Sequence, residues 1–321
     1  MEDEAPRHRE LEVPAAADGM RLDRFLALRF RDRSRSELAR AIKAGEVTDP
    51  SGRALRASAL VRTGEVLHLY VEGIAPGAPP PPFPAILHED DRVVVVDKPP
   101  GLMAHPAGTR FVYALVGLAR ARWPELAVDL VHRLDKDTSG VVALTKDVAA
   151  NAFLKARLKA GEGRKEYLAI VKGRPDWDAL EIDAPIGRAD GPIRIQMAVR
   201  PDGLPSRTGA EVVAHHPTAD LALVRCRLHT GRTHQIRVHL AHVGFPLLGD
   251  LLYGVPPEVF LTHLDHGLTP EVLAAAGAPR HALHAHHLVL PHPDGGLIDV
   301  RSPLAADLEA WWADPSLPAR G

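Results

Sequence analysis

Asp135 lies two residues after Arg133 in the run Val131-His132-Arg133-Leu134-Asp135-Lys136-Asp137-Thr138-Ser139-Gly140. A carboxylate fixed beside a cation is what a nucleophile or general base requires. Asp137, Thr138, Ser139 and Gly140 hydrogen-bond locally or accept unusual backbone angles, so the segment suits a tight loop that holds Asp135 in a cleft. Spacing alone equally supports a turn between strands whose acids face water. The flanks are apolar: Val128-Asp129-Leu130-Val131 reads as the end of one strand and Val141-Val142-Ala143-Leu144-Thr145 as the start of another.

Other segments carry chemistry-bearing residues on regular elements. Val93-Val94-Val95-Val96 demands a buried strand, ended by Lys98-Pro99-Pro100-Gly101. Asp147 to Ala160 has Ala150, Phe153, Leu154 and Leu158 at helical spacing, and the alternation from Lys165 to Val171 is a strand that carries Tyr167. Ala222, Val224, Cys226 and Leu228 form one face of a strand leading into Thr230-Gly231-Arg232. From Thr233, a suitable N-cap, the pattern is helical, with Ile236 and Leu240 on one face and His234, Arg237 and Ala241 on another; Gly244 and Pro246 stop it.

The chain has 321 residues, 45% of them hydrophobic and 25% charged, which is enough for two domains. No apolar run approaches the ~20 residues of a membrane helix. Residues 1–18 hold six acids against Arg7 and Arg9, the opposite of a cationic leader, and read as a solvated acidic tail. The single Cys226 excludes an intrachain disulfide and suits a reducing cytoplasm. A net charge of −2 is unusual for a protein that grips a polyanion, but between Arg21 and Glu46 eight basic residues face four acidic ones. There two helices are expected, with Leu22, Phe25, Leu26 and Leu28 along the first and Leu38, Ala41 and Ile42 along the second, before a short strand in Val61 to Val71. Arg21, Arg24, Arg33, Arg35 and Lys43 suit phosphate contacts, although a solvated helix face explains such charges as well. The prolines from Pro76 to Pro82 make 74–84 a semi-rigid spacer.

His132-Arg133-Leu134-Asp135 with Thr138-Ser139-Gly140 resembles the catalytic motif of the RluA/RluD-type RNA pseudouridine synthases. Asp97-Lys98-Pro99-Pro100-Gly101 with His105-Pro106 resembles the opening of that family's catalytic domain, and Lys165-Glu166-Tyr167-Leu168-Ala169 its second motif. Leu228 to Leu240, followed by Gly249-Asp250 and Tyr253-Gly254, resembles the third. The resemblance implies Asp135 as catalytic carboxylate, Tyr167 and Arg237 as its partners, and His132, Arg133, Lys165, Arg232 and His234 as substrate contacts. It implies an α+β catalytic domain at 85–308, a mixed and largely antiparallel sheet with flanking helices, with a tail at 309–321 and a 255–280 insertion that no motif explains. Residues 19–73 resemble a small RNA-binding domain named after a ribosomal small-subunit protein, except that Val47-Thr48-Asp49-Pro50-Ser51-Gly52 replaces its tight turn with a longer loop.

The implied activity is isomerisation of uridine in RNA without a cofactor, with ribosomal RNA as the first substrate class and transfer RNA as the second. Two other readings stand beside it. A non-catalytic RNA-binding protein needs only the amino-terminal module. A metal-dependent hydrolase would use the 18 histidines, among them His229, His234, His239, His242, His284, His286 and His287, but no His-Glu-x-x-His pattern or Cys pair supports a metal site.

Overall fold

The computed structural model describes residues 8–29, 35–43, 45–70, 81–105, 114–191 and 193–316. They fall into two compact units, Met1–Pro82 with His105–Leu118 and Phe83–Ala104 with Ala119–Gly321. His105 and residues 114–118 thus group with the first unit, whereas the sequence places them in the catalytic domain.

In the first unit, β1 (His8–Glu12), α1 (Leu22–Arg29), α2 (Arg35–Lys43), β2 (Val47–Thr48) and β3 (Val66–Tyr70) follow in order, the strands pairing antiparallel as β1-β3-β2. Leu22, Phe25 and Leu26 of α1 and Leu38 and Ile42 of α2 meet Val47, Leu67 and Leu69 in one core, as the helical and strand periods require. Leu28 departs from the expectation and is exposed. It lies two residues beyond Leu26, about 200° around the helix and away from the core stripe. The acidic tail is also shorter than expected, because residues 8–12 pair with β3 and Val13 is buried in the core. The loop after β2 closes on the Asp49 carboxylate, which accepts hydrogen bonds from the backbone N–H groups of Ser51 and Arg53.

The second unit contains β4 (Ala85–Glu89), β5 (Val93–Lys98), α3 (Leu115–Arg122) from Ala119 onward, β6 (Asp129–Leu130), β7 (Ser139–Thr145) and α4 (Val148–Lys159). It continues with β8 (Arg164–Lys172), β9 (Ala179–Asp183), β10 (Ile186–Arg188), β11 (Met197–Val199), β12 (Arg207–His215), β13 (Leu221–Leu228) and α5 (Gln235–His242). α6 (Pro257–His266), α7 (Pro270–Ala276), β14 (Leu283–Pro291), β15 (Leu297–Arg301) and α8 (Ala306–Ala313) complete it. Among the described residues, one sheet runs β4-β5-β7-β14-β8-β13-β12-β9, with β15 beside β14 and β6 beside β7. Every pairing in it is antiparallel except β7 with β14, so the mixed, largely antiparallel sheet is present.

Both faces of the sheet are covered, which is why Val93 to Val96 can all be buried. On one face Val93, Val95, Val141 and Ala143 pack with Leu154 of α4; elsewhere in the unit Ile170 and Leu221 pack with Leu308 and Trp311 of α8. α8 therefore continues the fold past 309, where the sequence suggested a tail. The 255–280 insertion is built as α6 and α7, with Thr269 capping the latter by accepting from the N–H of Val272. No helix among the described residues is long and apolar enough to cross a membrane.

Candidate active site

Asp135 sits on the loop between β6 and β7, which is fixed along its length. Its own carbonyl accepts from the N–H of Thr138, closing a turn. The carbonyl of Lys136 accepts from Gly101 N and from Lys98 Nζ, 2.9 Å away. Lys98 is fully buried, and its ammonium also donates to the carbonyls of Pro99 and Leu102, which uses all three N–H bonds. Burial pushes its pKa down to about 7, while three carbonyl partners favour the charged form. Farther along, Arg280 donates to the carbonyl of Asp137 at 2.8 Å and Thr138 hydrogen-bonds with His281 at 2.8 Å. Gly140 has φ 107°, and a Cβ there would lie 2.2 Å from the carbonyl oxygen of Ala285, so only glycine allows β7 and β14 to meet where the loop enters the sheet.

The loop presents Asp135 to a cleft of about 260 Å³ lined by His132, Arg133, Lys165, Tyr167, Arg232, His234 and Arg237, among others. All eight expected catalytic and substrate-contacting residues thus share one site. Arg237 of α5 donates from Nη1 to Asp135 Oδ2 at 3.1 Å. Its other edge binds Asp250, with Nε to Oδ2 at 2.7 Å and Nη2 to Oδ1 at 2.8 Å. Asp250 is completely buried, and its Oδ1 also accepts from the backbone N–H groups of Leu252 and Tyr253. Burial opposes the charge on Asp135, but attraction to His234, Arg237 and His281 and the Arg237 hydrogen bond outweigh it and hold the carboxyl below its ordinary value; at neutral pH, where burial keeps both imidazoles neutral, Arg237 is the cation among them. Asp135 is therefore ionised at neutral pH.

Tyr167 projects from β8 and is buried; burial, aided by the charge of Asp135, raises its pKa. It is a neutral phenol near neutrality, suited to stacking on a base or donating a proton. His132 accepts at Nε2 from the N–H of Ala143, so the proton of its neutral ring is on Nδ1. Burial, then Lys165, lowers its pKa to about 3. Arg133 is exposed and reaches Thr233 Oγ1 at 3.1 Å, while Arg232 donates to the carbonyl of Pro205.

Two details at the start of α5 differ from the expectation. The N-cap is His234, in the left-handed region at φ 57°, and not Thr233, whose hydroxyl accepts from Arg133. Gln235 organises the turn before it: its Oε1 accepts from Thr230 and from the N–H of Arg232, and its Nε2 donates to Thr208. Sequence reasoning named Asp250 only as part of a motif and gave no role to Gln235, Tyr253 or Lys98. Each also has a partner distant in sequence, Arg237 for Asp250, Thr208 for Gln235, Met197 for Tyr253 and Lys136 for Lys98, for which local spacing carries no signal.

Arg21, Arg24 and Lys43 belong to the first unit, where Arg21 pairs with Asp23 at 3.0 Å. Arg33 and the side chain of Arg35 lie outside the described residues. Three of the candidate metal-ligating histidines have partners of their own. His239 hydrogen-bonds with Thr208 and the carbonyl of Ala184, His286 with the carbonyl of Ser302, and His287 with Glu166 and Asp299. Among the described residues no group of three His, Cys, Asp or Glu side chains is placed to hold a metal ion.

Residues 92–242 match the family model described as RNA pseudouridylate synthase. A Chloroflexus aurantiacus protein called an uncharacterized RNA pseudouridine synthase is 38% identical over 314 residues, covering 92% of this chain and 90% of the relative. Proteins of Xanthomonas campestris and Pseudomonas aeruginosa, each called ribosomal large subunit pseudouridine synthase D, are also 38% identical. Those alignments cover 94% and 93% of this chain and 90% and 93% of the relatives, respectively. Among solved structures, human RNA pseudouridylate synthase domain containing 1 superimposes with a TM-score of 0.56 at 26% identity, over 74% of this chain and 90% of that one. Human RNA pseudouridylate synthase domain containing 4 does so with a TM-score of 0.54 at 25% identity, over 73% and 92%.

Proposed function

The chain belongs to the RNA pseudouridylate synthase family, and on that premise we propose that it isomerises uridines of ribosomal RNA to pseudouridine with Asp135 as the catalytic carboxylate. The observation that carries the residue assignment is the ionised Asp135 carboxylate, held by Arg237 at 3.1 Å in a cleft of about 260 Å³. The ribosomal substrate is taken from the relatives called ribosomal large subunit pseudouridine synthase D. Such a substrate implies action in the cytoplasm.

The reaction breaks the bond between ribose carbon 1′ and uracil nitrogen 1, rejoins the base through carbon 5, releases the carbon 5 proton and leaves nitrogen 1 protonated by a proton from solvent. Reactant and product have the same oxidation state, so the balance needs no redox partner. The target uridine must first leave its stack, at a cost of about a few kcal/mol. Exposed Arg133, at the mouth of the cleft, is suited to fill the gap it leaves. Asp135 then attacks carbon 1′ or removes the carbon 2′ proton; both routes require the ionised carboxylate that Arg237 maintains. Tyr167 stacks on the uracil as a neutral phenol, and Lys165 and Arg232 supply positive charge for the backbone. The basic residues of 19–73, Arg21, Arg24, Arg33, Arg35 and Lys43, anchor RNA outside the cleft, tethered through the 74–84 spacer to the catalytic domain.

The test is tritium release from ribosomal RNA labelled at uracil carbon 5. Intact protein is expected to release tritium with or without chelator, and Asp135→Asn none. RNA binding without release by the intact protein would favour a non-catalytic binder, and loss of release with chelator a metal enzyme.

A further inference from the structure

His234 is the only described residue other than glycine with positive φ, and its side chain does not cap α5. A ring placed there at the expense of a good cap has another use. Its Nδ1 lies 2.8 Å from Tyr253 Oη, with the rings edge to face at 5.7 Å. The direction of that bond follows from a third group. The backbone N–H of Met197 donates to Tyr253 Oη at 3.0 Å, and among the described residues the phenol hydrogen has no other acceptor within hydrogen-bond reach, so it is assigned to His234 Nδ1. Nδ1 is then an acceptor, and the proton of the neutral ring is on Nε2, the atom 3.8 Å from Asp135 Oδ2. Burial, followed by the charge of Arg237, lowers the pKa of His234, so the neutral form and its tautomer matter at working pH.

Arg237 Nη1 meets the same oxygen, Oδ2, and among the described residues no hydrogen bond reaches Oδ1. One donor, Arg237, and the imidazole edge of His234, 3.8 Å away and so in electrostatic rather than hydrogen-bond contact, act on the same oxygen, which would set the plane of the carboxylate and leave the other oxygen for the sugar. We propose that Tyr253 is a positioning residue for the isomerisation: by donating to His234 Nδ1 it keeps the Nε2–H tautomer aimed at Asp135 and so orients the carboxylate. This rests on the reading of Asp135 as the catalytic group. Tyr253 does not line the cleft, and its hydroxyl reaches Asp135 through His234, while its ring lies against Arg237. Without its hydroxyl the ring is free to carry its proton on Nδ1, which turns an imidazole lone pair toward the carboxylate.

Tyr253→Phe tests this, since it keeps the ring that lies 5.1 Å from the Arg237 guanidinium and removes only the hydroxyl. Single-turnover tritium release is expected to slow about tenfold, the loss of roughly one oriented hydrogen bond, with unchanged KM for RNA and an unchanged melting temperature. His234→Asn suits the left-handed backbone but does not reach Asp135, and it should slow the reaction comparably. In the double variant the losses should not add, because both remove one path. The imidazole nitrogen spectrum of intact protein, with His234 assigned by its absence in His234→Asn, should show Nε2 protonated and Nδ1 bare. Asp135, Arg237, Asp250, Arg133 and Tyr253 face this ring, so the spectrum is taken above its lowered pKa. Full turnover by Tyr253→Phe, additive losses, or a proton on Nδ1 in the intact protein would overturn the proposal. Asp135→Asn is run in parallel. If it turns over, the reading of Asp135 has failed; if it is inactive while Tyr253→Phe is unimpaired, only the role of Tyr253 has failed.

Discussion

Replacing Asp250 by Asn keeps its shape, and the structure fixes which way the new amide must point. Its Oδ1 accepts from the backbone N–H groups of Leu252 and Tyr253 at 2.9 and 3.2 Å, so an oxygen has to remain there. The amide nitrogen then takes the place of Oδ2 and faces Arg237 Nε, now 2.7 Å from an acceptor, donor against donor. One charge-assisted bond becomes a repulsion and the other, from Nη2, weakens to one with a neutral acceptor. A hydrogen bond to a charged group is worth about 1.5–3 kcal/mol, and a buried ion pair stripped of one partner costs about 3–5 kcal/mol. Since Asp250 is completely buried, the larger range applies. At about 2–4 °C per kcal/mol for a unit of this size, the melting transition should fall by roughly 6–20 °C. Asp135→Asn makes the contrast. The Asp135 side chain is 31% exposed, and Arg237 keeps Asp250 when it is changed, so the transition should move by no more than about 4 °C. Calorimetry and tritium release on both variants separate the two carboxylates: loss at position 250 should impair folding and turnover, and loss at 135 turnover alone. Equal destabilisation by both, or a thermally unaffected Asp250→Asn, would refute this division of labour.

Gly140→Ala should prevent recovery of folded protein or lower its melting point sharply, because the added methyl meets the Ala285 carbonyl at 2.2 Å; thermal melting of the purified variant checks this. Asp135 and Asp250 are both held below their ordinary pKa of 3.8, so their stabilisation is in place well above that pH and is lost as pH falls through and below it. Acid unfolding followed by circular dichroism should show this limb, and Asp250→Asn should flatten it. Trp311→Ala removes a buried ring from the core formed with Leu308 and Ile170 and should cost about 3–5 kcal/mol in denaturant unfolding, although its position lies beyond the expected end of the catalytic domain.

The residues that line the cleft were far more legible in the sequence than those that support them. Asp135, Tyr167 and Arg237 stand in motifs whose residues are close neighbours along the chain, and the strands and helix that carry them follow plain periods of two and 3.6. Asp250 escaped because its contact with Arg237 depends on the path of the chain after α5, and Lys98 because a lysine at a strand end ordinarily reaches water. The N-cap was misplaced by one residue. Thr233 has the better chemistry for capping, but tertiary contacts of Arg133 and Tyr253 override that preference. β1 and α8 were hidden by composition: Arg9, Glu10 and Glu12 make up most of the first, and only Leu308 and Trp311 reveal the buried side of the second.

The parallel pairing of β7 with β14 has a consequence for the order of events during synthesis. The loop bearing Asp135 is made early, yet Arg280 and His281, which hold its far end, follow Asp137 and Thr138 by 143 residues. β14 must also insert between β7 and β8, two strands already finished. Contacts of such sequence separation form slowly, since a long loop must close before they are rewarded. A nascent chain can therefore build the hairpin of β4 and β5 while still attached to the ribosome, but it cannot set the loop that carries Asp135 until the last strands have emerged. Turnover should consequently appear late in refolding, after most of the secondary structure has returned.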